Sequence, residues 1–221
     1  MKLLVEEIIN WINKSDRPVI IGISGHGAAG KTTFSTKLAQ LIGLNEVSYL
    51  NTDPYIVPSQ LRKYAMISYP YQHKSYHSKM TACHPDAHHT PSLERDIRMV
   101  KSRLDFYTID TVYQKSELIS PKKVTIIEGM SVAFIDPKLM DLKIYFYTDD
   151  ETELVRRVGR DILERGTDIT ALSQSHEQRR IQYELFMHPF SQNFDIIIKN
   201  SNEEVCIEKN LFTKLVKPSG N

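Results

Sequence analysis

The 221-residue chain has few cysteines, little excess charge and no long apolar run, and each of these features excludes a class of protein. Its two cysteines, Cys83 and Cys206, lie far apart and in no metal-ligand spacing, so neither a disulfide framework nor a cysteine metal site is predicted. The formal net charge of +1 provides no basic field for nucleic acid. No apolar run is long enough to span a bilayer, so no membrane partner is predicted. We therefore expect a protein of the reducing cytoplasm.

The most informative stretch is rich in glycine and follows an apolar, strand-like run over residues 18–24. Its sequence is Gly25-His26-Gly27-Ala28-Ala29-Gly30-Lys31-Thr32-Thr33. Apolar residues at helical spacing follow over residues 34–42, and a strand, a glycine loop and a helix in this order predict a phosphate-binding loop. All nine loop residues are therefore candidate contacts of a nucleotide, because backbone amides and a helix amino terminus attract an anion. Lys31 would reach the β- and γ-phosphates of ATP or GTP, and the Thr32 hydroxyl would bind Mg²⁺.

Two carboxylates follow further strand-like runs. Asp53 comes after residues 46–50, where Pro54 ends the strand, so it belongs at the carboxyl edge of a parallel sheet and is a candidate catalytic base. The alternative for Asp53 is a turn or helix-capping carboxylate. Glu128 ends a buried run that begins at Val124, and it is a candidate to hold Mg²⁺ through a water or to polarise a water. The alternative for Glu128 is a carboxylate that the amides of the next loop satisfy.

A group of arginines lies in a helix predicted over residues 150–164. Arg156 and Arg160 are four residues apart and share a face, Arg157 and Arg160 are three apart, and Arg165 lies beside them. Several guanidinium groups on one face suit phosphate oxygens. The alternative is a solvated helix face that pairs with neighbouring acidic side chains.

The remaining pattern predicts one domain over residues 1–221. Strands alternate with helices, which predicts an α/β fold with a doubly wound parallel sheet and helices on both faces. Residues 56–92 are irregular and rich in proline, tyrosine and histidine, so we expect the acceptor-binding region over about 54–115. The histidines there favour polar surface over a metal site. The expected partner is a small-molecule acceptor, and the sequence leaves open whether the chain forms a homo-oligomer.

Five segments, taken together and in this order, resemble the uridine kinase family of P-loop kinases. They are the phosphate loop, Asn51-Thr52-Asp53-Pro54-Tyr55, His84-Pro85-Asp86-Ala87, Ile127-Glu128-Gly129 and residues 156–166. The resemblance implies the P-loop kinase fold, a short lid over about 156–175, and phosphoryl transfer from ATP with Mg²⁺ to a small-molecule hydroxyl.

The same resemblance implies roles for individual residues. It makes Asp53 the catalytic base and assigns Lys31 and Arg160 to the transferred phosphate. The metal would lie at Thr32 and Glu128. The residues expected to contact substrate are Tyr55, His84, Asp86, Arg157 and Arg165.

The chain departs from the family where the acceptor is recognised. Leu104 and Ile109 stand where the family has the tyrosine and histidine that contact the pyrimidine, Cys83 replaces the aspartate before His-Pro, and Thr167 replaces an arginine. A pocket that loses its hydrogen-bonding groups no longer recognises the same base. Uridine or cytidine is the first expected acceptor. The alternatives are a different nucleoside, a non-nucleoside such as a sugar or a pantothenate-like compound, or a nucleotide switch without phosphotransfer.

Overall fold

The computed structural model describes residues 1–112, 114–165, 169–202 and 204–212, and the side chains within them other than those of residues 160–174. In chain order, the helices and strands are α1 (Lys2–Asn13), β1 (Val19–Gly25), α2 (Lys31–Ile42), β2 (Val47–Asn51), α3 (Ser59–Arg62), β3 (Met66–Tyr71), β4 (Lys74–Lys79), α4 (Thr90–Lys101), β5 (Phe106–Tyr107), β6 (Leu118–Ile119), β7 (Val124–Glu128), β8 (Leu142–Tyr147), α5 (Asp150–Arg165), α6 (Ile169–Gln182), β9 (Ile196–Asn200) and β10 (Val205–Asn210). A π-helical turn over Tyr183–Met187 continues α6.

The central sheet has the strand order β10-β9-β8-β1-β7-β2. β1 pairs in parallel with β7 and β8, β2 pairs in parallel with β7, and β9 pairs in parallel with β8. β1 and β7 are buried along their whole length, as expected of strands covered on both faces. The predicted parallel α/β sheet is therefore confirmed, and the antiparallel edge strand β10 is an addition that the sequence pattern did not predict.

Apolar side chains cover both faces of the sheet. On one face, Ile8 of α1 and Leu38 of α2 pack with Ile21 and Ile23 of β1. On the other face, Leu93 and Ile97 of α4 belong to a core cluster that also contains Tyr145 of β8. Within the described ranges, no helix is long and apolar enough to cross a bilayer.

The stretch predicted to be irregular contains an antiparallel hairpin of β3 and β4. Its turn residues Gln72 and His73 have φ values of 47° and 63°. The usual turn signal is a glycine or an Asn-Gly pair, and neither occurs here, which is why the hairpin was missed. Helix α4 also begins three residues earlier than predicted, at Thr90, with Pro91 in its first turn.

Candidate active site

The phosphate loop connects β1 to α2, and close packing dictates its glycines. Gly25 has a φ of +139°, and a Cβ built on it would lie 1.8 Å from the carbonyl oxygen of Phe146 in β8. Gly30 has a φ of +95°, and its Cβ would lie 2.3 Å from Nδ2 of Asn200. The same Asn200 amide donates a hydrogen bond to the Ala29 carbonyl at 2.9 Å. The loop is therefore held against β8 and β9 as well as by its own turns.

Lys31 lies under the loop and is not an exposed side chain. It is only 8% exposed, and its Nζ donates a hydrogen bond to the His26 carbonyl oxygen at 2.9 Å. The same Nζ is 3.9 Å from Oε1 of Glu128. The ammonium group therefore stands between the loop backbone and the carboxylate that ends β7.

The fully buried ring of His26 packs beneath the phosphate loop and links it to neighbouring elements. Nε2 accepts a hydrogen bond from the Thr148 amide at 2.9 Å, which assigns the proton to Nδ1. Nδ1 lies 2.8 Å from the Gly27 carbonyl oxygen and 3.4 Å from Oε2 of Glu153. Burial lowers the pKa of His26. The ring is therefore neutral, and His26, like Gly25 and Ala29, does not line the cavity in front of the loop, contrary to the expectation that all nine loop residues contact the nucleotide.

The two predicted metal ligands meet at the end of β7. Oε2 of the buried Glu128 accepts hydrogen bonds from the Thr32 hydroxyl at 3.1 Å and from the Tyr49 hydroxyl at 2.8 Å. Burial raises the pKa of Tyr49 well above 10, and the neighbouring Glu128 adds to this, so Tyr49 stays a proton donor. A threonine hydroxyl next to a carboxylate is a donor set that fits Mg²⁺, which prefers hard oxygen ligands and keeps several waters.

An open cavity of about 1180 Å³ lies in front of the loop. Its phosphate side is lined by Gly27, Ala28, Gly30, Lys31, Thr32, Thr33 and Glu128, and its other side by Asp53, Ile56, Val57, Pro58, Ser59 and Arg62. Asp53 is exposed at the start of a 3-10 turn that directly follows β2. The cavity is large enough for a nucleotide and a small second molecule, because a drug-sized ligand fills about 300–1,000 Å³.

Arginines from two helices form one wall of this cavity. Arg156 donates hydrogen bonds from Nη1 to the carbonyl oxygens of Ala28 and Asn200, at 3.2 and 2.9 Å. Arg157 is buried and also lines the cavity. Arg160 and Arg165 have side chains outside the described set, so their predicted roles remain predictions.

Arg179 of α6 completes this wall, and the sequence analysis did not select it. A Cβ on Gly27 would lie 3.1 Å from its Nη2, so its guanidinium group touches the phosphate loop. The only signal in the sequence is the pair Arg179-Arg180, and such pairs are common on solvated surfaces. The sequence analysis did not select Arg62 either, which lies in the stretch predicted to be irregular and donates to the Val57 and Met80 carbonyl oxygens on the other side of the cavity.

The structure contradicts the predicted substrate contact of Tyr55. Its ring is fully buried in the core, and its hydroxyl donates a hydrogen bond to Asp96 of α4. His84 and Asp86 do not line the cavity either. His84 instead caps a short turn, where its Nδ1 accepts a hydrogen bond from the Asp86 amide at 3.2 Å.

The residues that depart from the family pattern fall into different environments. Cys83 is fully buried in the core, and burial raises the pKa of its thiol. Leu104 is 53% exposed and does not line either of the two cavities described here. Ile109 lines a second cavity of about 460 Å³, which shares Ile56 and Pro58 with the first. Only Ile109 of the two supposed base-reading positions therefore faces a possible ligand.

Comparison with known proteins places this site in a class. The fold is similar to that of phosphoribulokinase from Rhodobacter spheroides, with a TM-score of 0.58 at 18% identity over 84% of this chain and 71% of that one. It is also similar to D-glycerate 3-kinase from Cryptococcus neoformans var. grubii, with a TM-score of 0.54 at 11% identity over 92% of this chain and 99% of that one. The class is therefore that of the P-loop kinase fold.

Sequence comparison then gives the family. Residues 20–206 match the model of the Phosphoribulokinase / Uridine kinase family. The chain is 30% identical over 216 residues to uridine kinase of Ligilactobacillus salivarius (strain UCC118), covering 92% of this chain and 95% of that protein. It is 29% identical over 213 residues to uridine kinase of Borreliella burgdorferi (strain ZS7), covering 91% and 97%. The chain belongs to the phosphoribulokinase and uridine kinase family, and it is a phosphotransferase with a hydroxyl acceptor.

Proposed function

We propose that this protein transfers the γ-phosphoryl group of ATP or GTP to a hydroxyl of a small molecule, with Mg²⁺, and that uridine and cytidine are the first acceptors to test. The observation that carries the proposal is the shared cavity, in which Asp53 lies on one side and Lys31, Thr32 and Glu128 lie on the other. Phosphoryl transfer needs a base for the acceptor and cations for the moving phosphate at one place.

Each residue has a role that its position supports. Asp53 is exposed to the cavity and would take the proton of the acceptor hydroxyl. Lys31, Arg157 and Arg179 would stabilise charge on the phosphates, and Arg160 and Arg165 would join them from the lid. Thr32 and Glu128 would hold Mg²⁺, which neutralises phosphate charge when it is bound.

The acceptor half of the proposal depends on positions at which this chain departs from the pattern of the family it resembles. Ile109 brings an apolar side chain to the second cavity, where a pyrimidine would need partners for its polar edge. Each polar group buried without a partner costs about 1–3 kcal/mol. A non-nucleoside alcohol is therefore the second candidate acceptor, whereas a switch without phosphotransfer is not supported by a family of phosphotransferases.

The test is a coupled assay of ADP or GDP release over a panel of acceptors. The panel contains uridine, cytidine, other nucleosides, sugars and pantothenate, and the phosphorylated product is identified by mass spectrometry. We expect at least one acceptor to stimulate release, and Asp53→Asn to reduce that rate about 100-fold while nucleotide affinity stays unchanged. Asp16→Asn is the matched control, because Asp16 is exposed and lies before the start of β1, away from the loop. Absence of stimulated release across the panel, or full activity of Asp53→Asn, would refute the proposal.

A further inference from the structure

A single buried carboxylate joins the phosphate loop to the two helices that carry the arginine wall. The side chain of Glu153 in α5 is 1% exposed. Its Oε1 lies 3.9 Å from Nη1 of Arg157 and 3.7 Å from Nε of Arg179. Its Oε2 lies 3.4 Å from Nδ1 of His26 and 3.4 Å from Nη1 of Arg180. One carboxylate oxygen therefore faces Arg157 and Arg179, and the other faces Arg180 and His26, which packs beneath the phosphate loop.

Charge explains why this arrangement needs a carboxylate. Burial alone would raise the pKa of Glu153, but the hydrogen bond from His26 and the charges of Arg179 and Arg157 hold it at about 2. Glu153 is therefore ionised at neutral pH, while His26 is neutral. Arg180 has further partners, since it donates to the Thr148 carbonyl at 3.0 Å and contacts Glu184 at 3.2 Å.

Arg157 and Arg179 differ from Arg180 because both line the cavity. The buried guanidinium group of Arg157 and the partly buried one of Arg179 repel each other at this wall, and a buried charge without a counter-charge is strongly unfavourable. Glu153 offsets this repulsion without lining the cavity itself, so the wall keeps an excess of positive charge toward the cavity. His26 also links Glu153 to the loop, because its Nδ1 lies close to both the Glu153 carboxylate and the Gly27 carbonyl oxygen.

We propose that Glu153 is a positioning residue that holds Arg157 and Arg179 at the phosphate loop. It acts through these arginines and through His26, and it does not touch the substrate. This inference rests on the proposed function, since phosphates are the groups that the arginines would meet. The competing role is a purely structural one, in which Glu153 only joins α5 to α6.

The kinetic test compares Glu153→Gln, Glu153→Asp and Glu184→Gln, with MgATP and the best acceptor of the panel. Glu153→Gln keeps the shape and removes the charge, and we expect kcat to fall about 100-fold, with a smaller change in KM for the acceptor. Glu153→Asp keeps the charge but withdraws it by one methylene, so we expect a fall of about tenfold. Glu184→Gln is the matched control, because Glu184 also pairs with an arginine but is half-exposed and outside the cavity, and we expect kcat within about twofold of wild type.

A second measurement needs no nucleotide. In NMR spectra of the full chain, the Nε–H signals of Arg157 and Arg179 should be resolved in the wild type and in Glu184→Gln, and should be lost or broadened in Glu153→Gln. If Glu153→Gln does not fold, Glu153→Asp carries the test at a thermal midpoint close to that of the wild type.

These results separate the two proposals. Wild-type kcat in both Glu153 variants, or losses of kcat that only match a lower folded fraction, would overturn the positioning role. A wild-type protein that phosphorylates no alcohol would overturn the proposed function instead. The arginine signals would then decide alone whether Glu153 orders the wall.

Discussion

Lowering the pH should reduce the free energy of unfolding of this protein because of His88, a buried histidine behind the acceptor side of the site. Its Nε2–H donates to the Ala82 carbonyl at 2.9 Å, and its Nδ1 accepts from the Ser131 hydroxyl at 2.8 Å. Burial lowers the pKa of His88 to about 4, and the positive charge of Arg62 adds to this. The Ser131 hydroxyl also lies 3.3 Å from the Thr52 carbonyl, one residue before the proposed base. Protonation of His88 would therefore disturb the turn that presents Asp53.

The size of the effect follows from the two pKa values. The unfolded chain binds a proton at His88 near pH 6.5, and the folded chain does so only near pH 4. Between these values the unfolded state binds more protons, so the free energy of unfolding falls as the pH decreases through this window. Between pH 7.5 and pH 5.0, His88 should remove about 2 kcal/mol of stability.

The assay is urea unfolding at pH 7.5 and pH 5.0 of the wild type and of His88→Gln. The pKa values of His26 and His188 are also lowered by burial, so both proteins should lose stability in acid. The prediction is that the wild type loses about 2 kcal/mol more than His88→Gln does. His89→Gln is the control, because it removes an exposed neighbouring imidazole and should keep the wild-type loss. Equal losses in the wild type and His88→Gln would refute the reasoning.

Three further predictions concern the phosphate side of the site. Lys31→Ala should abolish transfer and weaken ATP binding, and it should lower the free energy of unfolding by about 1 kcal/mol because the hydrogen bond to the His26 carbonyl is lost. Steady-state kinetics, calorimetry of ATP binding and urea unfolding measure these effects. Wild-type turnover would contradict the prediction. Glu128→Gln should weaken Mg²⁺ activation about 10- to 100-fold, as measured by magnesium titration at saturating ATP, and an unchanged midpoint would contradict a metal role. Arg179→Gln should lower kcat about 1,000-fold with little change in fold, as measured by steady-state kinetics and circular dichroism, and a change in acceptor KM alone would place Arg179 outside phosphate stabilisation.

The sequence predicted the features that depend on local pattern and on the sheet. Val124 to Ile127 form a strand because an apolar run of this length is buried on both faces of a parallel sheet. Thr32 and Glu128 come together at 3.1 Å because the loop after β1 and the end of β7 lie at the same edge. The features that failed depend on contacts between distant segments. Tyr55 can be buried because Asp96, 41 residues later in the chain, accepts a hydrogen bond from its hydroxyl group. No sequence pattern around Tyr55 indicates this contact.

The meeting of Arg157 and Arg179 at one wall of the cavity also could not be predicted from the sequence. Arg157 was predicted from its neighbours in α5, whereas Arg179 lies in another helix, and both meet at Glu153. An acidic residue in a charged helix normally indicates a side chain exposed to solvent. Glu153 is buried instead, because His26 of the loop and arginines of two helices surround it. Such a site becomes visible only when the packing of α5, α6 and the loop is known.

The sheet register separates the part of the site that performs transfer from the part that selects the acceptor. Glu128 is level with Ile23 of β1 and with Asn51 of β2. Two residues beyond that level, β1 reaches Gly25 at the start of the loop, and the chain after β2 reaches Asp53. The loop, Glu128 and Asp53 are therefore fixed relative to each other by three paired strands, which leaves little freedom for the geometry of the proposed transfer.

Acceptor recognition has no such constraint. The second cavity is lined by Ile109, His89 and other residues from segments outside the central sheet. Pro54 and Ile56 also line this cavity and belong to the turn of Asp53, but side chains such as Ile109 and Lys115 can change without moving Asp53 or the phosphate loop, because they lie outside that turn and outside the paired strands. This would allow a chain to keep the segments that resemble the phosphoryl-transfer segments of the family while Ile109 stands at a position expected to contact the acceptor. The identity of the acceptor should therefore be sought in the residues of these outer segments, and variants there should change the choice of acceptor while nucleotide binding stays intact.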